Sequence, residues 1–159
     1  MSNVVHLTYH GSSGLQKWAD RAATVWNDVL KDLVVLHPWP YEGALNVHIS
    51  WSLAVRTAES PNRVAECRRT SVDRWNIKLD LSGQTKWALS GWKRFWGAGE
   101  DPYAALLHEF GHVFGIPHSD DPGYVMHPDI GGTGKLDRRE KAEYRMEFRE
   151  AQSDTFDEA

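Results

Sequence analysis

The chain has 159 residues, 41% hydrophobic and 25% charged, with a formal net charge of −4. This suffices for one domain with its own core across residues 1–159, expected to be monomeric, and no apolar run approaches the roughly eighteen residues that cross a bilayer. The slight acidity and the absence of a basic stripe argue against a nucleic-acid partner, and the single cysteine, Cys67, excludes an internal disulfide.

At the N-terminus, Met1 to Val5 contain neither a basic n-region nor an apolar h-region. No secretory signal is visible, so the chain is expected to be cytoplasmic as synthesised unless a leader was removed or release follows another route. Val4 to Tyr9 predict a β-strand ended by Gly11-Ser12-Ser13-Gly14, and Ser13 and Gln16 have capping-box spacing. From Leu15, the apolar residues Trp18, Ala19, Ala22, Val25, Trp26, Val29, Leu30 and Leu33 keep a helical period. This predicts a long helix over residues 15–33, broken by His37-Pro38-Trp39-Pro40.

Leu45 to Trp51 alternate as a second strand, and a third lies within Val64 to Val72. Trp75 to Leu81 alternate strictly, with Trp75, Ile77, Leu79 and Leu81 on one face. In residues 82–99, Trp87, Trp92 and Trp96 interleave with Lys86, Lys93 and Arg94. These tryptophans could wall a cleft or cover the core, and core burial is the favoured reading because they bury large area. Residues 119–134 read as loop. There Asp120, Asp121 and Asp129 are the residues a Ca2+ ion would use, although solvated turns are favoured. Asp137 and Glu140 have the spacing to cap a charged helix that carries Tyr144 and Phe148 at i, i+4, with a frayed end over 153–159.

The decisive stretch runs from His108 to His118 and has the form H-E-x-x-H-x-x-G-x-x-H. Asp101 as N-cap and Pro102 at the first helical position start a helix here. On it, His108 and His112 leave the same face one turn apart, a spacing at which two imidazoles can grip one ion. Glu109 lies beside them, placed to take a proton from an activated water without ligating the metal. Gly115 permits positive φ, so the chain can turn and bring His118 back as a third ligand. Three neutral imidazoles with an open fourth position are the donor set of a catalytic Zn2+. Given this chain's composition, the full pattern would arise by chance in about one of ten thousand shuffled sequences. His6, His10, His37 and His48 show no ligand motif and are read as structural.

The pattern resembles the metzincin clan of zinc endopeptidases. Met126, eight residues after His118 in Gly123-Tyr124-Val125-Met126-His127-Pro128, resembles the clan's Met-turn. Ser119 and Pro128 are similar to the matrixin branch, and with Pro128 two places after Met126 no tyrosine ligand is implied. The upstream half resembles small snapalysin-type bacterial metalloproteases in outline. Those enzymes use Asp as third ligand and have a disulfide, whereas this chain has His118 and one cysteine. Nothing around Cys67 resembles the matrixin propeptide motif, so it is read as an ordinary thiol.

The resemblance implies an α+β metzincin-like catalytic domain: a twisted mixed sheet of four to five strands with an antiparallel edge strand, a long packing helix, a zinc-binding helix and a C-terminal helix. The strand near 75–81 is expected at the edge above the cleft. The implied activity is zinc-dependent endopeptidase action on a protein or peptide, with Glu109 catalytic, His108, His112 and His118 ligating, and Met126 beneath the metal. His127, Pro128 and Tyr124 are candidates for a substrate pocket. Two alternatives stay open: a zinc hydrolase acting on cell-wall peptides or other amides, and a non-catalytic peptide-binding domain of the same fold.

Overall fold

A computed structural model describes residues 4–12, 14–89, 99–129 and 136–157. Strand β1 (Val5–Gly11) alternates so that Leu7 and Tyr9 enter the core. Helix α1 (Gln16–Val29) follows, burying Trp18, Ala19, Ala22, Ala23, Trp26 and Val29 on one face. Ser13 lies outside the described residues. The residue before the helix is Leu15, which makes no side-chain cap, and Gln16 Oε1 instead accepts a hydrogen bond from Gly11 N–H at 2.7 Å.

The apolar period predicts helix through Leu33, but α1 ends at Val29. Leu30 N–H closes the last turn onto Trp26 O, and Asp32 then adopts φ +67°. Asp is one of the few non-glycine residues that tolerate this left-handed backbone. The reversal leads directly into β2 (Val34–His37), a short strand that the helical period concealed. From α3 (Arg138–Asp157), Arg145 Nη1 donates to Val29 O at 2.9 Å and Lys31 O at 2.8 Å, supplying partners for carbonyls at the helix end. Helix α3 runs on through residues predicted to fray, with Ser153 Oγ donating to Glu150 O at 2.7 Å.

With β3 (Leu45–Ser52), β4 (Ala65–Ser71) and β5 (Arg74–Asp80), the sheet has the order β2-β1-β3-β5-β4. All neighbours are parallel except β4 and β5. The edge strand expected at 75–81 therefore lies one position inward, and the antiparallel edge is β4. The tight connection through Val72 and Asp73 folds β4 back beside β5, and the charged residues Glu66, Arg68 and Arg69 suit an edge better than the apolar β5. Ile77 and Leu79 are fully buried between neighbours, whereas Leu81, beyond the strand end, is 54% exposed. Helix α2 (Pro102–Val113) packs beside α1 and reaches β4 and β5, while α3 packs against α1. No described helix is long and apolar enough to cross a membrane.

On the outer side, His6 Nδ1 lies 2.9 Å from His37 Nε2, and Tyr41 stacks on both rings. His10 stacks on His48. Trp87 packs edge-on against Trp51 and donates from Nε1 to Asp80 O at 2.8 Å, so it belongs to the packing and not to the cleft wall. Trp92 and Trp96 lie outside the described residues.

At the end of β5, buried Asp80 accepts hydrogen bonds from Arg56 Nε at 2.9 Å and Thr85 Oγ1 at 2.6 Å. Arg56 also donates to Pro61 O at 2.6 Å, tying down the loop that enters β4. Burial pushes the Asp80 pKa up, but bonds from Thr85, Arg56 and Ser82 outweigh it and hold the carboxyl below its usual range. This stabilisation is present above the unfolded value of about 3.9 and is lost as pH falls. Asp80→Ala, which strands the Arg56 charge, is expected to cost about 3–5 kcal/mol in urea unfolding at pH 7. A loss below about 1 kcal/mol would show that the clamp is solvated.

Candidate metal centre and cleft

Helix α2 starts as its sequence predicts: Asp101 Oδ1 accepts Tyr103 N–H at 2.9 Å, with Pro102 at the first position. It ends in a glycine turn. Gly115 has φ +77°, its N–H bonds to His112 O at 3.0 Å, and Ile116 N–H bonds to Gly111 O at 3.0 Å. This pairing of carbonyls past the helix end is the Schellman arrangement, and it reverses the chain towards His118.

The three imidazoles meet. Nε2 of His112 is 3.2 Å from those of His108 and His118, and His108 to His118 is 3.3 Å. Tetrahedral zinc ligands at about 2.0–2.1 Å stand about 3.3 Å apart, so the cage has the right size. The outer nitrogens fix the tautomers. His108 Nδ1 lies 2.8 Å from Val125 O and His112 Nδ1 3.1 Å from Ile116 O, and a carbonyl can only accept. Both Nε2 atoms therefore present bare lone pairs to each other, an arrangement that only a cation between them makes favourable. Among the described residues, these three histidines form the one group able to hold a metal ion. Asp121 instead accepts Gly123 N–H at 2.9 Å in its own turn, and among the described residues Asp120, Asp121 and Asp129 belong to no metal-holding group.

Glu109 is 5% exposed and lines the same cleft, whose volume is about 610 Å³. Burial pushes its pKa up to about 8; Arg63 pulls it down and Glu66 pushes it further up. Burial lowers the His108 pKa to about 4, with Val125 O opposing and the neighbouring histidines adding to the effect. His112 is also lowered, chiefly by burial. The upper wall is the edge strand β4 and its approach, with Arg63, Glu66, Cys67 and Arg68; Pro128 and Asp129 also line the cleft. Burial lifts the Cys67 thiol pKa, so it stays protonated in the wall and outside the metal group.

Met126 is fully buried beneath α2, in contact with Gly111, where a Cβ would collide with its Sδ. Of the predicted pocket residues, Pro128 lines the cleft. His127 is half-buried and accepts Asp129 N–H at Nδ1, 3.2 Å away. Tyr124 is 7% exposed and packs edge-on against Tyr144, so its ring belongs to the core. Arg63, Glu66 and Glu100 escaped sequence reasoning because they reach the cleft only through sheet pairing and loop closure, which leave no local spacing signal.

A three-imidazole cage in a cleft bordered by the edge strand of a mixed sheet defines a metal-binding α+β domain. The matrixin family model matches residues 15–146, so this chain belongs to the matrixin family and is a zinc metalloendopeptidase by that membership. Among solved structures, the chain is similar to a zinc-dependent peptidase from Methanocorpusculum labreanum (strain Z). That similarity has 12% identity and a TM-score of 0.45, and covers 91% of this chain and 99% of that one. No curated protein matches.

The raised Glu109 and lowered histidine values act oppositely on the metal-free fold. Glu109 contributes stability that is present below its ordinary value of 4.5 and lost as pH rises through about 8. His108 and His112 are neutral in the fold, so stability falls as pH drops below their ordinary 6.5, for His108 down to about 4. Metal-free Glu109→Gln is therefore expected to gain on the parent between pH 5 and pH 8, and itself to weaken from pH 6.5 to pH 4. Urea melts in chelator across this range measure both; a parent-to-variant difference that stays constant with pH would show Glu109 titrating normally.

Proposed function

We propose that the chain hydrolyses internal peptide bonds with one zinc held by His108, His112 and His118, and with Glu109 as general base and then general acid. The observation that carries this reading is the buried Glu109 carboxyl sharing a cleft with three Nε2 atoms spaced 3.2–3.3 Å apart. When bound, zinc supplies Lewis acidity, polarising the scissile carbonyl and acidifying a water. A cation held by the three histidines would also draw the raised Glu109 pKa down, leaving the carboxylate available near neutrality. Glu109 takes the proton of the attacking water and delivers it to the departing amine.

The free edge of β4 supports a peptide substrate. Among the described residues only β5 pairs with it, so its other side offers backbone donors and acceptors along the cleft, where an extended chain can add as a further strand. On this reading Pro128 borders the pocket for the residue after the scissile bond, and His127 shapes it from the adjoining position outside the lining. Tyr124 supports them from behind through its carbonyl, which accepts His127 N–H at 3.1 Å. Met126 closes the floor beneath the metal.

Glu109→Gln is expected to retain one zinc per chain and the fold while losing peptide hydrolysis by several orders of magnitude, because the base is removed and the ligands are not. Elemental analysis with a fluorogenic peptide assay measures this, and near-normal turnover would show the base to be another group. Assays on proteins and on purified peptidoglycan divide the substrate classes. Turnover confined to the latter would move the substrate to cell-wall peptides.

A further inference from the structure

A buried chain of hydrogen bonds connects α3 to the metal cage. Its inner end is His108 Nδ1, 2.8 Å from Val125 O. The other end of that peptide unit, Met126 N–H, donates to Tyr144 Oη at 3.0 Å. Tyr144 O–H donates to Glu140 Oε1 at 2.7 Å, and the same oxygen accepts Val125 N–H at 2.7 Å. His108, Met126, Tyr144 and Glu140 are each no more than 3% exposed, so water does not compete for these bonds. Resonance couples the carbonyl and N–H of a peptide, and successive hydrogen bonds polarise one another where the dielectric is low.

Glu140 is not spent on capping its helix. Asp137 Oδ1 takes Glu140 N–H at 2.8 Å, but the Glu140 carboxylate turns to Val125 and Tyr144. Neither Glu140 nor Tyr144 lines the cleft. From this geometry we infer that Glu140 and Tyr144 are positioning residues for the metal site. They fix the Val125–Met126 peptide, which holds His108 with Nδ1 protonated and its Nε2 lone pair aimed into the cage. His112 takes its carbonyl from Ile116 in the turn that ends its own helix and needs no such relay. The inference rests on the three-histidine metal site, but it is separable from hydrolysis.

Tyr144→Phe keeps the ring and removes only the hydroxyl. In metal-free, 15N-labelled protein, long-range imidazole spectra report each tautomer. The parent is expected to show Nδ1–H for both His108 and His112. In Tyr144→Phe and Glu140→Ala, the Nε2–H form of His108 should appear while His112 stays unchanged. Zinc affinity, measured by competition with a chelator, should fall about tenfold, at the low end for outer partners of a metal ligand. Glu140→Gln keeps an acceptor oxygen and should hold the tautomer with a smaller loss. If Glu140→Ala does not fold, Tyr144→Phe and Glu140→Gln decide the matter. A Tyr144→Phe protein with lowered melting temperature but unchanged His108 tautomer and zinc affinity would overturn the inference and leave these residues as ordinary core. If the parent binds no zinc, the metal site falls, yet the tautomers still decide the relay. If it binds zinc and responds as expected but cleaves no peptide, only the catalytic reading fails.

Discussion

The close approach of α2 to the elements beneath it sets the position of everything else. Gly111 has no side chain, and the space a Cβ would take is filled by Met126 Sδ and Cε and by the Trp26 ring. Trp26 is fully buried and donates from Nε1 to Leu107 O at 2.8 Å, so α1 grips the turn of helix immediately before His108. Phe114 and Tyr144 close on the same indole. One tryptophan thus locks α1, α2 and α3 together just below the imidazoles. A larger residue at 111 would have to displace either Met126 or Trp26, and an interior at crystal-like packing density has little room to absorb that.

This rigidity matters because ligand geometry is exacting. Each Nδ1 of the helical pair is held by a backbone carbonyl, which costs no side-chain entropy, and the two carbonyls differ in origin. Ile116 O comes from the glycine turn within the motif. Val125 O comes from a segment tied to the third ligand through Ser119 N–H and Met126 O at 2.9 Å. His118 and the Met126 turn therefore move as one piece. The cage is thus set by main-chain hydrogen bonds on both sides.

Local spacing made the cage legible: i, i+4 histidines, a glycine at the helix end and a third histidine three residues later describe a device contained in eleven residues. The start of α2 was equally plain, because Asp101 and Pro102 act within one turn. What could not be read depended on tertiary choices. Leu30 and Leu33 fit a helical period, yet Asp32 in the left-handed region ends the run and frees Val34 to Leu36 for the sheet. The alternating 74–80 segment has the apolar pattern of a strand, and that pattern cannot reveal whether one or two neighbours flank it. Its full burial at Ile77 and Leu79 marks an interior strand, and the charged β4 takes the edge. Glu140 has capping spacing, but a buried partner across the fold outcompetes the local N–H.

The placement of buried polar groups ties these points together. Among the described residues, the buried polar or charged side chains are Thr8, Asp80, Thr85, His108, Glu109 and Glu140. Asp80 and Thr85 belong to the clamp that fixes the approach to the cleft's upper wall, and the last three belong to the metal site or its support. Burying such groups costs stability unless partners satisfy them, and a chain of this length has few apolar side chains to spare for the offset. The expense falls almost wholly on the cleft and its supports. Asp80 is satisfied by fixed donors and Glu140 by a peptide and a phenol. Within the cleft, His108 turns an unshared Nε2 lone pair towards those of His112 and His118, and Glu109 shares the same lining. A metal ion held by the three imidazoles would supply the partner that this lone pair lacks, so buried polarity that costs stability elsewhere serves binding here.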